Sequence, residues 1–249
     1  MVKIELKNIN LTYPIYGHRL SIKSKIFKKK VGGEIIQDKN TYHVHALKNL
    51  NVTFSKGDKI GLIGHNGAGK STFLALLSNI YPPTSGKLII EGKVQSLFNP
   101  SAGLELEESG LRNITRLGLL LDLNLNQLNQ NIGKIIKVSG LGDYINLPVR
   151  TYSEGMKLRL CFATITSWKS DILLIDEFLS VGDEYFYKYS QEKLDEIMIN
   201  SPIVFFASHN LNFIKNFTNR VIILNAGEII FDGKTEEGLN FYKGSNLND

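Results

Sequence analysis

Residues 64–72 read Gly-His-Asn-Gly-Ala-Gly-Lys-Ser-Thr, and this stretch decides the fold. A glycine, four further residues and then Gly-Lys-Ser match the P-loop, in which backbone N–H groups surround a phosphate. In this pattern we expect Lys70 to reach the outer phosphates and Ser71 to ligate magnesium. The residues expected to line the nucleotide are Gly64, His65, Asn66, Gly67, Ala68, Gly69, Lys70, Ser71 and Thr72.

The segments on either side of this motif support the match. Residues 59–63 form a short apolar run that is typical of a buried strand, and residues 73–77 suit a buried helix. A glycine-rich turn with an incidental lysine is the competing interpretation, and the strand–loop–helix context argues against it. The sequence therefore predicts a protein that binds a nucleotide.

Composition and charge limit the classes of protein to which this chain can belong. The chain has 249 residues, of which 43% are hydrophobic and 21% are charged, as in ordinary soluble globular proteins. The single cysteine, Cys161, excludes an internal disulfide framework, and its apolar neighbours favour a packing role. We expect no signal peptide, and no apolar run is long enough to cross a bilayer. The net charge is +5, and we interpret the lysine cluster at residues 23–30 as a solvated loop.

The first hundred residues are strand-like apart from one insertion. The hydrophobic pattern predicts strands at residues 2–13, 46–54 and 87–91. Residues 14–45 are polar and have no clear period, so we expect a surface excursion with at most a short helix.

The hydrophobic pattern changes from strand-like to helical at about residue 104, and strand–helix alternation returns after residue 148. Runs at residues 117–121 and 123–136 are consistent with helices of an inserted subdomain. Strands are predicted again at residues 172–175, 203–207, 221–224 and 228–231, and the last two form a hairpin. Alternating strands and helices imply a largely parallel sheet that binds its ligand at the carboxyl ends of the strands.

A second site segment, Ile-Leu-Leu-Ile-Asp-Glu, covers residues 172–177. Four apolar residues followed by two carboxylates describe a buried strand that ends at a polar site. Asp176 can hold magnesium there, and Glu177 can polarise the water that attacks a γ-phosphate. A strand followed by an acidic turn is the alternative, but the preceding P-loop favours the functional interpretation.

A third segment begins at Ser153, which is a good helix N-cap for the residues that follow it. The N-terminus of such a helix offers free N–H groups and a positive dipole end, which suit a phosphate. Without further information, an ordinary capped helix explains this segment equally well.

These segments occur in the order found in ATP-binding cassette (ABC) ATPases, and the sequence resembles that family from about residue 3 to about residue 233. The resemblance implies that residues 153–156 form the signature loop, with Ser153 and Gly155 contacting ATP held on a second copy of the chain. It also implies a D-loop at residues 180–183.

The resemblance assigns two further residues. His209 follows a predicted strand and falls at the switch histidine, which contacts the γ-phosphate; it would join Lys70 and Glu177 as a catalytic residue. Tyr13 resembles the aromatic residue that stacks on adenine, with Tyr16 and Tyr42 as alternatives. The implied cofactors are ATP and Mg²⁺.

The fold implied by the resemblance is α/β, with a P-loop NTPase core, a mostly parallel sheet, an N-terminal antiparallel β subdomain and an inserted α-helical subdomain. We expect one ABC ATPase domain over residues 1–249. Its core would comprise residues 1–103 and 151–249, and its helical subdomain residues 104–150 together with a signature helix at 152–168.

Two details resemble the ATPases that export bacterial surface polysaccharides: O-antigen, capsule and teichoic acid. Tyr-Ser-Glu-Gly-Met at residues 152–156 replaces the common Leu-Ser-Gly-Gly-Gln. Asp-Glu-Phe-Leu-Ser-Val-Gly-Asp at residues 176–183 replaces the common Asp-Glu-Pro-Thr-Ser-Ala-Leu-Asp. The lysine-containing insertion at residues 14–45 is similar to that group too. We expect no C-terminal carbohydrate-binding domain, because the chain ends soon after residue 233.

The sequence departs from the family pattern at one position. Most transport cassettes place a glutamine before the helical subdomain, where it senses magnesium. The expected position falls near residues 99–100, which are Asn and Pro, and Gln95 comes too early. The set of magnesium ligands is therefore left open. Glu154 is a second oddity, since a carboxylate beside a phosphate must point away or be neutralised.

The resemblance implies a homodimer that works with a separate membrane permease at the cytoplasmic face of the bacterial inner membrane. The expected substrate is a lipid-linked polysaccharide, with O-antigen preferred and capsule or teichoic acid as alternatives. A soluble cassette protein that acts on ribosomes or DNA is a weaker alternative, so we expect no nucleic-acid partner. A non-hydrolysing module and a P-loop GTPase are weaker still, because Lys70, Asp176, Glu177 and His209 occur together and no Asn-Lys-x-Asp segment exists.

Overall fold

The protein was analysed as a computed structural model that describes residues 2–15, 34–38, 41–97, 103–121, 123–176, 193 and 195–245. Its contacts divide the chain into two compact units. The first unit comprises Met1–Val94 and Pro202–Asp249, and the second comprises Gln95–Ser201. The division into core and helical subdomain made from the sequence stays a prediction.

The strands are β1 (Lys3–Ile15), β2 (Glu34–Asp38), β3 (Thr41–Ser55), β4 (Lys59–Ile63), β5 (Ser85–Glu91), β6 (Val94–Leu97), β7 (Ile172–Ile175), β8 (Ile203–Ala207), β9 (Arg220–Asn225) and β10 (Glu228–Lys234). The helices are α1 (Lys70–Leu77), α2 (Gly110–Leu120), α3 (Leu125–Ser139), α4 (Glu154–Ile165), α5 (Leu211–Phe217) and α6 (Thr235–Gly244). Short 3-10 helices lie at Gly142–Asn146 and Val149–Thr151, and residues 195–200 are helical.

The first unit contains an antiparallel sheet in the order β2-β3-β1-β5. Alternating residues of β1 enter the core, but the alternation slips by one residue after Leu6, so that Ile9 and Leu11 are the next buried pair. Asn8 causes this slip. It has a φ of 50° and interrupts the register of β1 with β3 between Leu6 and Ile9, as a β-bulge does.

The insertion at residues 14–45 is the main correction to the sequence prediction. Where the structure describes it, this segment is strand rather than irregular excursion. Pro14 still pairs with His43 at the end of β1, and β2 pairs with β3 in antiparallel register from Glu34 opposite His45 to Asp38 opposite Thr41. The sequence did not predict these strands, because the pairing joins β2 to a distant part of the chain, β3.

The second sheet of the first unit places β4 at the centre of the order β10-β9-β4-β8. Strands β8 and β9 both run parallel to β4, so their carboxyl ends meet at the edge where β4 enters the P-loop. Three fully buried rings, Phe54, Phe73 and Phe205, join β3, α1 and β8 beneath this edge. The ring centroids of Phe54 and Phe205 lie 4.7 Å apart in an edge-to-face arrangement.

The second unit packs α2, α3 and α4 around one apolar cluster that includes Ile114, Ile135 and Leu160. Each helix begins at a polar cap: Ser109 for α2, Asn124 for α3 and Ser153 for α4. The helix predicted after Ser153 is thus present, as are the two helices predicted between residues 104 and 148, with α2 starting earlier than the apolar run suggested.

Cys161 is fully buried in α4. Burial raises the pKa of its thiol to about 12, so the reactive thiolate is scarce at neutral pH. These observations agree with the packing role that the sequence suggested.

Asn113 organises the loop that precedes α2. Its side chain is fully buried, and its Nδ2 donates to the carbonyl oxygens of Glu105, Glu108 and Ser109. Its Oδ1 accepts from the backbone N–H of Glu105 at 2.7 Å. A single side chain therefore bonds four backbone groups of this loop, of which the three carbonyl oxygens also accept from backbone N–H groups.

Replacing Asn113 by alanine should lower the free energy of unfolding by about 2 kcal/mol, because the Glu105 N–H loses its acceptor and three carbonyl oxygens each lose a second donor. Urea denaturation of the whole chain measures this change. Asn131→Ala in α3 is the matched control: its amide makes one exposed bond to the Gln127 carbonyl, so we expect a change within about 0.5 kcal/mol. Equal effects of the two substitutions would contradict the organising role of Asn113.

Candidate nucleotide-binding site

The loop between β4 and α1 depends on glycine at several positions. Gly64, Gly67 and Gly69 have φ values of 156°, 81° and 110°, of which the latter two lie well inside the region that favours glycine. A Cβ atom on Gly64 would overlap the Leu224 carbonyl oxygen. The backbone is therefore held in a path that no other residue type follows without strain, and it leads directly into α1 at Lys70.

Lys70 lies over this loop. Its Nζ donates to the carbonyl oxygen of Gly64 at 2.5 Å and to that of His65 at 3.1 Å. Ser71, the next residue, is exposed in the first turn of α1. A helix N-terminus with a lysine ammonium beside it is the arrangement that attracts phosphate, through N–H groups and positive charge together.

The turn between β9 and β10 holds the loop from the other side. Gly227 donates its N–H to the Ala68 carbonyl at 3.0 Å and accepts from the Lys48 N–H at 2.8 Å. The Nε2 atom of His65 lies 3.1 Å from Oδ1 of Asn225. The sequence predicted this turn as a hairpin but gave no indication that it contacts the loop, because the contact is purely tertiary.

Tyr13 lies beside the same loop. Its ring packs edge-to-face against Tyr81, with centroids 5.1 Å apart. Burial raises the pKa of the Tyr13 hydroxyl, and a hydrogen bond with the Thr72 side chain opposes that shift. Tyr13 is thus adjacent to the predicted nucleotide residues; of its rivals, Tyr42 lies in β3, and Tyr16 lies outside the described residues.

His209 is exposed immediately after β8, at the carboxyl edge of the sheet. Its neighbours fix the backbone there. The Ser208 hydroxyl accepts from the N–H of Asn210 at 3.0 Å, and the Asn210 side chain caps α5 through the N–H groups of Asn212 and Phe213. The backbone on both sides of His209 is therefore anchored.

The second unit carries the remaining site residues. Asp176 directly follows β7, whose four residues are fully buried, and is itself partly exposed. Glu177 and the predicted D-loop at residues 180–183 lie outside the described residues. The magnesium role predicted for Asp176 stays a prediction.

The N-terminus of α4 presents Ser153 and Gly155. Ser153 is exposed, and its hydroxyl accepts from the Met156 N–H at 3.2 Å. Glu154 is paired with Lys157, whose Nζ lies 2.7 Å from Oε1. This ion pair supplies the neutralising cation that the sequence analysis required.

Gln95 serves a structural role. It is buried in β6, and its Nε2 donates to the carbonyl oxygen of Ile165 at the end of α4. This amide is therefore committed within the second unit, as expected for a residue that comes too early to sense magnesium. Residues 99–100, the expected position of that glutamine, lie outside the described residues.

Comparison with known proteins decides the family. A sequence model described as "ABC transporter" matches residues 47–180, which include the P-loop, α4 and β7. The chain belongs to the ABC transporter family. Its resemblance to the polysaccharide-export group of ABC ATPases is confirmed by relatives over nearly the whole chain.

Three relatives illustrate that resemblance. The O-antigen export system ATP-binding protein RfbE of Yersinia enterocolitica is 41% identical over 92% of this chain and 97% of its own length. RfbB of Myxococcus xanthus, with the same description, is 36% identical over 90% of this chain and 51% of its own length. The teichoic acids export ATP-binding protein TagH of Listeria monocytogenes is 34% identical over 95% of this chain and 68% of its own length.

Solved structures confirm the ABC ATPase fold. An ATP-binding subunit of an ABC transporter superposes with a TM-score of 0.73 at 16% identity, over 100% of this chain and 97% of that chain. A dimeric ATP-binding cassette, MJ0796, in a post-hydrolysis state with ADP and Pi, superposes with a TM-score of 0.68 at 21% identity, over 93% of this chain and 98% of that chain. Within the described residues of this ABC chain, no helix combines the length and apolar character needed to span a membrane.

The contact between the hairpin turn and the P-loop can be tested at Gly227. A Cβ atom there would overlap the Ala46 carbonyl oxygen, and relief of the overlap must shift the turn whose Gly227 N–H bonds the Ala68 carbonyl. We expect Gly227→Ala to weaken ATP binding roughly tenfold, which corresponds to about 1.4 kcal/mol, the scale of one lost backbone contact. Equilibrium binding of a fluorescent ATP analogue measures this change.

Gly57→Ala is the control for this experiment. Gly57 also has a positive φ, 101°, against 83° for Gly227, but a Cβ atom there would meet nothing within 4 Å. Both substitutions carry the backbone strain of a left-handed residue, and only Gly227→Ala adds the overlap. Unchanged ATP affinity in Gly227→Ala, or equal losses in both variants, would show that the turn does not support the loop.

Proposed function

We propose that this chain is the ATP-binding and ATP-hydrolysing subunit of an exporter that moves a lipid-linked surface polysaccharide across the cytoplasmic membrane. The observation that carries the proposal is the P-loop, in which Gly67 and Gly69 take positive φ values and the Lys70 ammonium lies on the loop at the N-terminus of α1. Membership of the ABC transporter family supports ATP as the nucleotide. The names of the relatives support polysaccharide as the cargo.

The residues present suit a magnesium ion as the second cofactor. Ser71 offers an exposed hydroxyl in the first turn of α1, and Asp176 offers a carboxylate at the end of β7. Hydroxyl and carboxylate oxygens are the ligands that Mg²⁺ prefers, and the ion would neutralise phosphate charge. We assign Ser71 and Asp176 to it.

The chain itself supplies the other groups that hydrolysis needs. Lys70 and the N–H groups of residues 64–72 hold the phosphates and stabilise the charge that develops during transfer. Glu177 orients and polarises the attacking water, and His209 contacts the γ-phosphate from the end of β8. Tyr13 stacks on the adenine.

The second half of the site comes from another copy of the chain. Ser153 and Gly155 lie at the N-terminus of α4, which exposes N–H groups and a positive dipole end. Because Lys157 neutralises Glu154, the only carboxylate in the first turn of α4, an anion can approach this terminus. We assign this terminus to the γ-phosphate of ATP held by the partner copy, which makes the working species a homodimer.

The cargo assignment follows the relatives. The relative named for O-antigen export is 41% identical and matches this chain over nearly its whole length. The relative named for teichoic acid export is 34% identical. O-antigen is therefore the preferred polysaccharide, with capsule and teichoic acid as alternatives, and the partner is a membrane-embedded permease that holds the ATPase at the cytoplasmic face.

Two substitutions separate ATP binding from hydrolysis. Glu177→Gln keeps the shape of the side chain but loses its charge, so ATP should still bind while turnover falls by roughly 10²–10⁴. Lys70→Ala should weaken binding and abolish turnover together, because the ammonium stabilises phosphate charge in both the ground and transition states. Phosphate release and nucleotide binding are measured on each purified variant.

The slow variant also tests the dimer. Glu177→Gln with ATP should sediment as a dimer, whereas Ser153→Arg added to the same chain should leave it monomeric. Near-normal turnover in Glu177→Gln would move the catalytic base to another residue, with His209 the next candidate. A strict monomer at high protein concentration would contradict the assignment of Ser153.

Export is tested in the native bacterium. Deleting the gene should remove one polysaccharide from the cell surface and accumulate its lipid-linked form inside, and Lys70→Ala should fail to restore export. Arg112 is an exposed residue of α2 that pairs with Glu108. If this surface engages the permease, Arg112→Gln should reduce export while leaving ATP turnover unchanged. Normal surface polysaccharide in the deletion strain would contradict the proposed function, and the chemistry of the missing polymer distinguishes O-antigen from teichoic acid.

A further inference from the structure

Tyr81 follows the end of α1 and packs on the tyrosine that we assign to adenine. Its ring meets that of Tyr13 edge-to-face, with centroids 5.1 Å apart and an angle of 70° between the ring planes. Tyr81 is 45% exposed. An edge-to-face pair covers one face of one ring only, so the pair itself leaves at least one face of each ring uncovered. The contact with Tyr81 therefore orients Tyr13 without occupying both faces of its ring.

The backbone of Tyr81 is fixed by the end of α1. Its N–H and that of Ile80 both donate to the carbonyl oxygen of Ala75, at 3.3 and 3.0 Å. Asn79 has a left-handed φ of 58° and donates its N–H to the carbonyl oxygen of Leu76 at 3.1 Å. A left-handed residue just after the last turn is a common way to end a helix. The position of Tyr81 is therefore tied to the helix whose other end forms the P-loop.

The residues after Tyr81 return to the strand that carries Tyr13. Thr84 donates its N–H to the carbonyl oxygen of Asn10 at 2.8 Å, and its hydroxyl oxygen accepts from the N–H of Thr12 at 2.8 Å. The residues between Tyr81 and Thr84 are both prolines, whose rings restrict the backbone. Tyr81 is therefore anchored on both sides, by α1 before it and by β1 after it.

A hydrogen bond adds another link between Tyr13 and α1. The Tyr13 hydroxyl is hydrogen-bonded to the side chain of Thr72, which lies two residues after Lys70 in the first turn of α1. Tyr13 is thus held by its hydroxyl at the start of α1 and by its ring just beyond the end of α1. Because the same helix presents its N-terminus to phosphate, α1 fixes the distance from that terminus to the Tyr13 ring.

We propose that Tyr81 is a positioning residue for nucleotide binding, which orients the Tyr13 ring so that adenine stacks on it while the phosphates occupy the P-loop. The inference rests on the adenine contact that the proposed function gives to Tyr13. A ring that is already oriented loses less freedom when a base stacks on it, so the stacked base is bound more tightly. Tyr81 acts through Tyr13 and needs no contact of its own with the nucleotide.

A comparison of ADP with inorganic pyrophosphate isolates the part of the binding that depends on the base. Both ligands carry two phosphoryl groups, only ADP carries a base, and neither has a γ-phosphate to be hydrolysed. Calorimetry on the whole chain, with Mg²⁺ present, measures the two dissociation constants. Tyr81→Ala should raise the dissociation constant of ADP roughly three- to tenfold, the scale of one aromatic pair, and leave that of pyrophosphate unchanged.

Three further variants complete the experiment. Tyr81→Phe keeps the ring and should bind ADP as the unaltered chain does. Ile80→Ala removes a neighbouring side chain that is 55% exposed, and it should leave both dissociation constants unchanged. When Tyr13→Ala is combined with Tyr81→Ala, ADP should bind no more weakly than to Tyr13→Ala alone, because Tyr81 acts only through Tyr13.

Equal weakening of ADP and pyrophosphate in Tyr81→Ala would overturn the proposal, because it would indicate a general loss of the α1 structure. An equal loss of ADP affinity in Ile80→Ala or Tyr81→Phe, or additive losses in the double variant, would overturn it as well.

Tyr13→Ala alone separates this inference from the proposed function. If Tyr13→Ala weakens ADP binding and Tyr81→Ala does not, the role of Tyr81 fails and Tyr13 keeps its assignment. If Tyr13→Ala leaves the dissociation constant of ADP unchanged, the adenine contact itself fails, and the role of Tyr81 fails with it.

Discussion

The P-loop must turn its N–H groups toward an anion, and this requirement governs the backbone around it. A loop that offers its donors to a ligand leaves its carbonyl oxygens to be satisfied by the rest of the protein. The Ala68 carbonyl obtains its donor from Gly227 and the Gly64 carbonyl from Lys70, while the His65 carbonyl accepts from both Lys70 and the Ala68 N–H. The hairpin turn between β9 and β10 is thus as much a part of the nucleotide site as the loop itself.

Hydrogen-bond partners and charge balance also explain the start of α4. Ser153 takes the N–H of Met156, and Lys157 neutralises Glu154, so the helix N-terminus keeps its positive dipole end despite a carboxylate in its first turn. A glutamate in place of the more common glycine is therefore compatible with phosphate binding. The compensating charge lies three residues along the same helix, where α-helical geometry brings the two side chains together.

The segment before α2 shows how the second unit is built without the usual glutamine. Gln95 binds the carbonyl of Ile165 and so ties β6 to α4, while Asn113 holds four backbone groups of the loop ahead of its helix. Both amides add hydrogen bonds to the backbone of the second unit.

The sequence by itself determined the features whose causes are local. The P-loop, its strand and its helix follow from glycine spacing and apolar runs, and the cap at Ser153 follows from one side chain and the helix after it. An apolar strand followed by carboxylates predicted Asp176, and the family resemblance added His209. Only the tertiary structure decided that residues 34–38 pair with β3, that Tyr13 packs on Tyr81, and that Gly227 supports Ala68. Each of these joins residues far apart in the chain, and no local pattern encodes which distant backbone group will satisfy which.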